Sequence, residues 1–122
     1  MTRKRILSRY DDKKIYGSLF LIPVGACRTL GEDGWEFDSP ERLSKEVSEH
    51  LIAAFRLNFV EMHSGIERYV GDDIVMSIFL DDINEVESIY FQVSGDSLKT
   101  LAELCQDPQV FSKAEMFLPE RE

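Results

Sequence analysis

Apolar and polar side chains alternate strictly over two stretches of this chain. Ile74, Met76, Ile78 and Leu80 fall on one side of a period-two repeat, and Ile89, Phe91 and Val93 form another. Such alternation puts successive side chains on opposite faces, so residues 73–80 and 87–93 are expected as strands with one buried face. Asp81-Asp82-Ile83-Asn84-Glu85 between them is polar and of hairpin length, which predicts antiparallel pairing. Ile15 to Val24 (IYGSLFLIPV) is rich in β-formers and stopped near Pro23, giving an earlier strand. Leu57 to Val70, with Ser64-Gly65 in its middle, reads as two short strands or one bent strand.

A helical period runs through Leu43, Val47, Leu51, Ala54 and Phe55, with Arg42, Lys45, Glu46 and Glu49 on the other face. Ser39-Pro40 supplies a capping oxygen and a proline suited to a first helical position, so the helix is expected from there to about Leu57. A second helix is expected to be capped by Asp96 or Ser97, to bury Leu98, Leu101, Leu104 and Cys105, and to end at Asp107-Pro108. Val110 to Leu118 gives a last strand. Gly25 to Ser39 looks loop-like, with Trp35 and Phe37 marking a loop tied down by aromatics or a short strand. The expected fold is α+β, two helices packed on a mainly antiparallel sheet of about four to six strands. Residues 1–14 read as a basic segment that is frayed or a short strand, 15–118 as a single globular domain and 119–122 as a polar tail.

Composition agrees with one ordinary domain. The chain has 122 residues, 43% hydrophobic and 30% charged, which is too apolar for disorder. Ile15 to Cys27, the longest uncharged apolar run, is too short and too interrupted by Gly17, Pro23 and Gly25 to span a bilayer. It also reads better as a strand than as the apolar part of a targeting peptide. Cys27 and Cys105 are far apart, outside any CxxC, and are expected as reduced thiols, so a cytoplasmic location is expected.

Charge changes the picture more. Tyr69 to Leu98 contains no lysine or arginine but holds Asp72, Asp73, Asp81, Asp82, Glu85, Glu87 and Asp96. The first fourteen residues carry +4 and the rest −13 of a total of −9. A body this acidic repels nucleic acid and anionic membrane and attracts basic partners.

Candidate chemistry is thin. Gly95-Asp96-Ser97-Leu98 resembles the signature of the GDSL hydrolases, which implies a nucleophilic Ser97 and a base downstream. No histidine follows, however, because both His50 and His63 lie upstream. The structural reading is a tight turn at Gly95 with Asp96 and Ser97 capping a helix. Glu46, Glu49 and His50 on one helix, joined by Glu61 and His63, have a spacing that suits a metal, but no HExxH or paired ExxH accompanies them. The pairs Asp72-Asp73 and Asp81-Asp82 flank one strand and should stand about 25 Å apart, too far to share a proton or flank one bond.

The expectation is therefore a small, acidic, non-enzymatic binding protein, without cofactor or metal, that neutralises a basic protein partner. In size and charge it is similar to the bacterial immunity proteins, which block cationic nuclease toxins. Asp72, Asp73, Asp81, Asp82, Glu85 and Glu87 are the expected partner-binding residues. The alternatives are a small hydrolase or metal-dependent enzyme using Ser97 or His50, and an adaptor that pairs through an edge strand around Val110 to Phe117.

Overall fold

A computed structural model describes residues 16–119. Eight strands are present among these residues: β1 (Tyr16–Pro23), β2 (Cys27–Gly31), β3 (Gly34–Asp38), β4 (Asn58–His63), β5 (Ile66–Val70), β6 (Ile74–Leu80), β7 (Val86–Ser94) and β8 (Ala114–Phe117). Among the described residues three helices join them: α1 (Lys45–Phe55), α2 (Gly95–Leu104) and the short α3 (Pro108–Phe111). Six strands form one antiparallel sheet in the order β4-β5-β6-β7-β1-β8, and β2 with β3 makes a separate hairpin. The class is α+β, as expected, with one further short helix and this extra two-stranded sheet.

The alternation along β6 and β7 sets the register. Ile74 sits opposite Val93, Met76 opposite Phe91 and Ile78 opposite Ile89, while Leu19 and Leu21 of β1 face Phe91 and Ile89. A one-residue slip would turn all of these side chains to the other face. They join Val47 and Leu51 of α1, Leu101 of α2 and Phe111 of α3 in one buried cluster. The helices therefore cover one face of the sheet.

The opposite face is covered near its β1–β8 side. Phe20 of β1 and Phe117 of β8 meet Phe37 and Trp35 of the hairpin, and Tyr90 of β7 packs against Phe20. Ring centroids lie 4.9 Å apart for Phe20–Phe37 and 4.8 Å for Trp35–Phe117. The Arg28 guanidinium lies over the Phe117 ring and pairs with Glu115, which also accepts from the Gly25 N–H at 2.8 Å. Residues 25–39, read from the sequence as a loop tied down by aromatics or a short strand, are thus mostly this hairpin, with Trp35 and Phe37 on its second strand. Its first strand is exposed along its whole length, so no alternation marks it.

Helix starts needed correcting. Residues 39–44 are not helical: the Leu43 N–H donates to the Val86 carbonyl at 3.0 Å, which holds the segment against β7. Ser39 Oγ does accept from the Glu41 N–H, but in a local turn and not at a helix start. Ser44 is the true cap of α1, accepting from the Glu46 N–H at 3.1 Å. The helix ends at Phe55, because Arg56 turns left-handed at φ 54°.

Asp96 and Ser97 do not cap α2 either. That helix starts directly from β7 at Gly95, whose φ of 57° favours glycine, and its cap residue Ser94 makes no side-chain capping bond. Leu98 is exposed and not on the buried side. Between β4 and β5, Ser64 and Gly65 both have positive φ and close a two-residue hairpin, resolving 57–70 into two strands. The basic segment 1–14 lies outside the described residues.

Candidate functional site

The β6–β7 connector is built around one carboxylate. Asp81 Oδ1 accepts from the Ile83 and Glu85 N–H groups, both at 2.9 Å, and Oδ2 accepts from Arg42 Nε at 2.9 Å. Two backbone bonds, Asp81 N–H to the Glu85 carbonyl and Asn84 N–H to the Asp81 carbonyl, close the same loop. Asn84 takes φ 65°, a left-handed position that asparagine tolerates. The connector is therefore held in one shape by its own first residue.

Arg42 is fixed in turn. Its guanidinium also donates to the Ser39 and Glu41 carbonyls at 2.9 and 3.1 Å, and it lies 3.8 Å from Glu87. The hydrogen bond to Asp81 is the chief reason the Arg42 pKa stands above its ordinary value. Asp81 is held below the ordinary carboxylate value, first by Arg42 and then by the Glu85 N–H. Asp81 is thus a scaffold for the connector. Asp82, Glu85 and the apolar Ile83, 71% exposed, project from it.

Arg42, Leu80, Asp81, Asp82, Ile83 and Glu87 line an open cleft of about 490 Å³. Leu80 also borders a neighbouring groove of about 370 Å³ between α1 and the β5–β6 region. That groove has an apolar floor of Ile52, Met62, Tyr69 and Ile78, and its rim carries Glu49, Glu67 and Lys45. Tyr69 donates to Glu67 at 3.3 Å, and burial, followed by the Glu67 charge, pushes the Tyr69 pKa up.

The six predicted carboxylates do not form one face. Asp81, Asp82, Glu85 and Glu87 gather at one end of β6. Asp72 and Asp73 precede the strand at its other end, about 25 Å away at a rise of some 3.4 Å per residue. There the Asp73 carbonyl accepts from the Ser94 N–H at 3.1 Å, joining that end to the β7–α2 junction.

The residues considered for catalysis and metal binding have other surroundings. Ser97 lies in the first turn of α2, and among the described residues it has no hydrogen bond to a histidine or carboxylate. His50 packs edge-on against Phe111, with centroids 5.9 Å apart. Neither residue lines the cleft or the groove. Among the described residues, no three His, Cys, Asp or Glu side chains lie where they could hold a metal ion together. No helix among the described residues is long and apolar enough to cross a membrane.

Arg42 and Ile83 are the site residues that sequence reasoning missed. Arg42 was assigned to the polar face of the first helix, and nothing in the sequence marks its link to Asp81, thirty-nine positions away. Ile83 stood out in the sequence only as the single apolar residue of a polar connector. Comparison with protein-family models, with curated proteins and with solved structures found no match to this chain.

Proposed function

We propose that this chain is a non-enzymatic binding protein that engages and neutralises a basic protein partner, as small acidic immunity proteins do with cationic toxins. The observation that carries this reading is the connector end of the sheet. Asp82, Glu85 and Glu87 stand there around an exposed Ile83, on a loop already locked by Asp81 and Arg42. A loop fixed before binding loses little conformational freedom on complex formation. Carboxylates around an apolar anchor suit a surface that presents lysine or arginine beside an apolar side chain. Residues 16–119 carry nineteen carboxylates against seven lysines and arginines, so the long-range field adds to the local one.

Within the proposal, Asp82, Glu85 and Glu87 make the contacts and Asp81 holds the loop. Asp72 and Asp73, at the far end, contribute steering only. The test is affinity capture from the native host with wild type and with the Asp82→Lys/Glu85→Lys variant, followed by association kinetics. Partners held by wild type in preference to the variant should be basic. Their association rate should fall at least about tenfold in the variant at low salt, and wild-type association should slow as salt is added. Partners that are not basic, or equal association rates for the two proteins, would refute the reading.

A further inference from the structure

β4 is an edge strand of unusual character. Among the described residues it pairs on one side only, with β5, and all six of its residues are exposed. Phe59, Val60 and Met62 are 57%, 47% and 51% exposed. Edge strands in soluble proteins are commonly blunted by proline, lysine, short length or cover from another element. β4 has neither proline nor lysine. The other edge, β8, is four residues long and half-buried throughout.

The register shift in β4 falls between Phe59 and Glu61, leaving Val60 without a partner on β5. A bulge commonly protects an edge, but this one also resets the alternation. Phe59 sits opposite Tyr69 and Met62 opposite Glu67, two β5 residues of the same face. Both apolar side chains therefore share the helix-covered face of the sheet, three residues apart.

Charge selects the occupant. Residues 50–71, which include β4 and β5, hold Arg56 and Arg68 against Glu61 and Glu67 and are neutral. Residues 16–49 carry −4 and 72–119 carry −8. A cationic partner is drawn to those acidic regions and not to this edge. Copies of the chain repel one another through those two acidic regions, and this neutral strip is spared that repulsion.

We infer that β4 is a self-association surface, on which a second copy of this chain pairs antiparallel about a two-fold axis. Centring the pair between Val60 and Glu61 brings Phe59 of one copy opposite Met62 of the other, twice over. Each Glu61 near the axis keeps its own Arg68, with Oε2 and Nε 3.4 Å apart. The two six-stranded sheets become one continuous sheet, and both connector ends stay free.

Sedimentation equilibrium on the full chain tests this. Wild type should approach twice the 14.1 kDa chain mass. Met62→Lys, and separately Val60→Lys, should raise the dimer dissociation constant by about a hundredfold, because symmetry removes each contact twice. Both positions are exposed, so far-UV circular dichroism should stay near wild type, and the melting temperature should match that of wild type diluted until it is monomeric. Leu118→Lys, beside the other edge, should leave the dimer intact. Added salt should tighten the dimer by screening the net negative charge. A wild type that stays monomeric up to about 1 mM, a dimer that survives both β4 variants, one lost in Leu118→Lys, or one loosened by salt would overturn the inference.

Discussion

Asp81 illustrates how little a residue's type says about its role. Chemically it matches Asp82, its neighbour, yet it takes three hydrogen bonds inside the molecule while Asp82 stands exposed. Its folded pKa lies below the ordinary 3.8, so the folded state favours the charged form more than the unfolded state does. That stabilisation is complete above the ordinary value and is lost as pH falls through the lower folded one. Melting temperature should therefore drop in acid below about pH 4, and Asp81→Asn should flatten part of that drop while lowering stability at pH 7. Differential scanning calorimetry across pH 2–7 checks both, and an unchanged acid limb in Asp81→Asn would assign the effect to other carboxylates such as Glu115. The two cysteines differ in the same way. Burial pushes the Cys105 thiol up to about 11, while Cys27 lies exposed on β2. At pH 8 a thiol reagent should modify Cys27 rapidly and Cys105 only slowly, as timed labelling with mass spectrometry would show.

At the scale of elements, legibility followed burial. β6 and β7 were read almost to the residue, because the buried face of a strand writes itself into every second position. The hairpin of β2 and β3 was missed as a pair because it buries little except through Trp35 and Phe37. It is held through Phe117, whose ring meets Phe20, Phe37, Trp35 and Arg28. Phe117→Ala should thus cost about 2 kcal/mol, less than a fully buried phenylalanine. It should also shift the fluorescence of Trp35, the chain's single tryptophan, to longer wavelength. A destabilised variant with unmoved emission would mean that the hairpin is anchored elsewhere. The start of α1 failed for a different reason. Ser39-Pro40 has sound capping chemistry, but Leu43 pairs with Val86 and Arg42 with Asp81, so tertiary bonds hold the segment out of the helix. Local preference loses to such partners routinely.

Across the whole molecule, charge and apolar exposure separate. The net negative charge is largest over residues 72–119, where six carboxylates stand near the two ends of β6, while the exposed apolar strip runs along the neutral β4 edge. Two surfaces of opposite salt response follow from that division. Binding of a basic partner at the connector should weaken with salt, and pairing of β4 edges should strengthen. Measured on one preparation, the two slopes should differ in sign, and a common sign would mean that one of the surfaces is misassigned.

By itself the sequence determined the class of the fold, the strands β1, β6 and β7 and the excess of negative charge. Periodicity and composition are properties of the chain alone, so they survive without coordinates. Only the tertiary structure decided where the carboxylates stand. It divided six candidates between two ends of one strand, and it tied Asp81 to the amides of its own loop and to Arg42. It also put a second, more exposed edge at β4, opposite the last strand. Each of these depends on which distant segments meet, and strand order and bulges set that without leaving a local trace in the sequence.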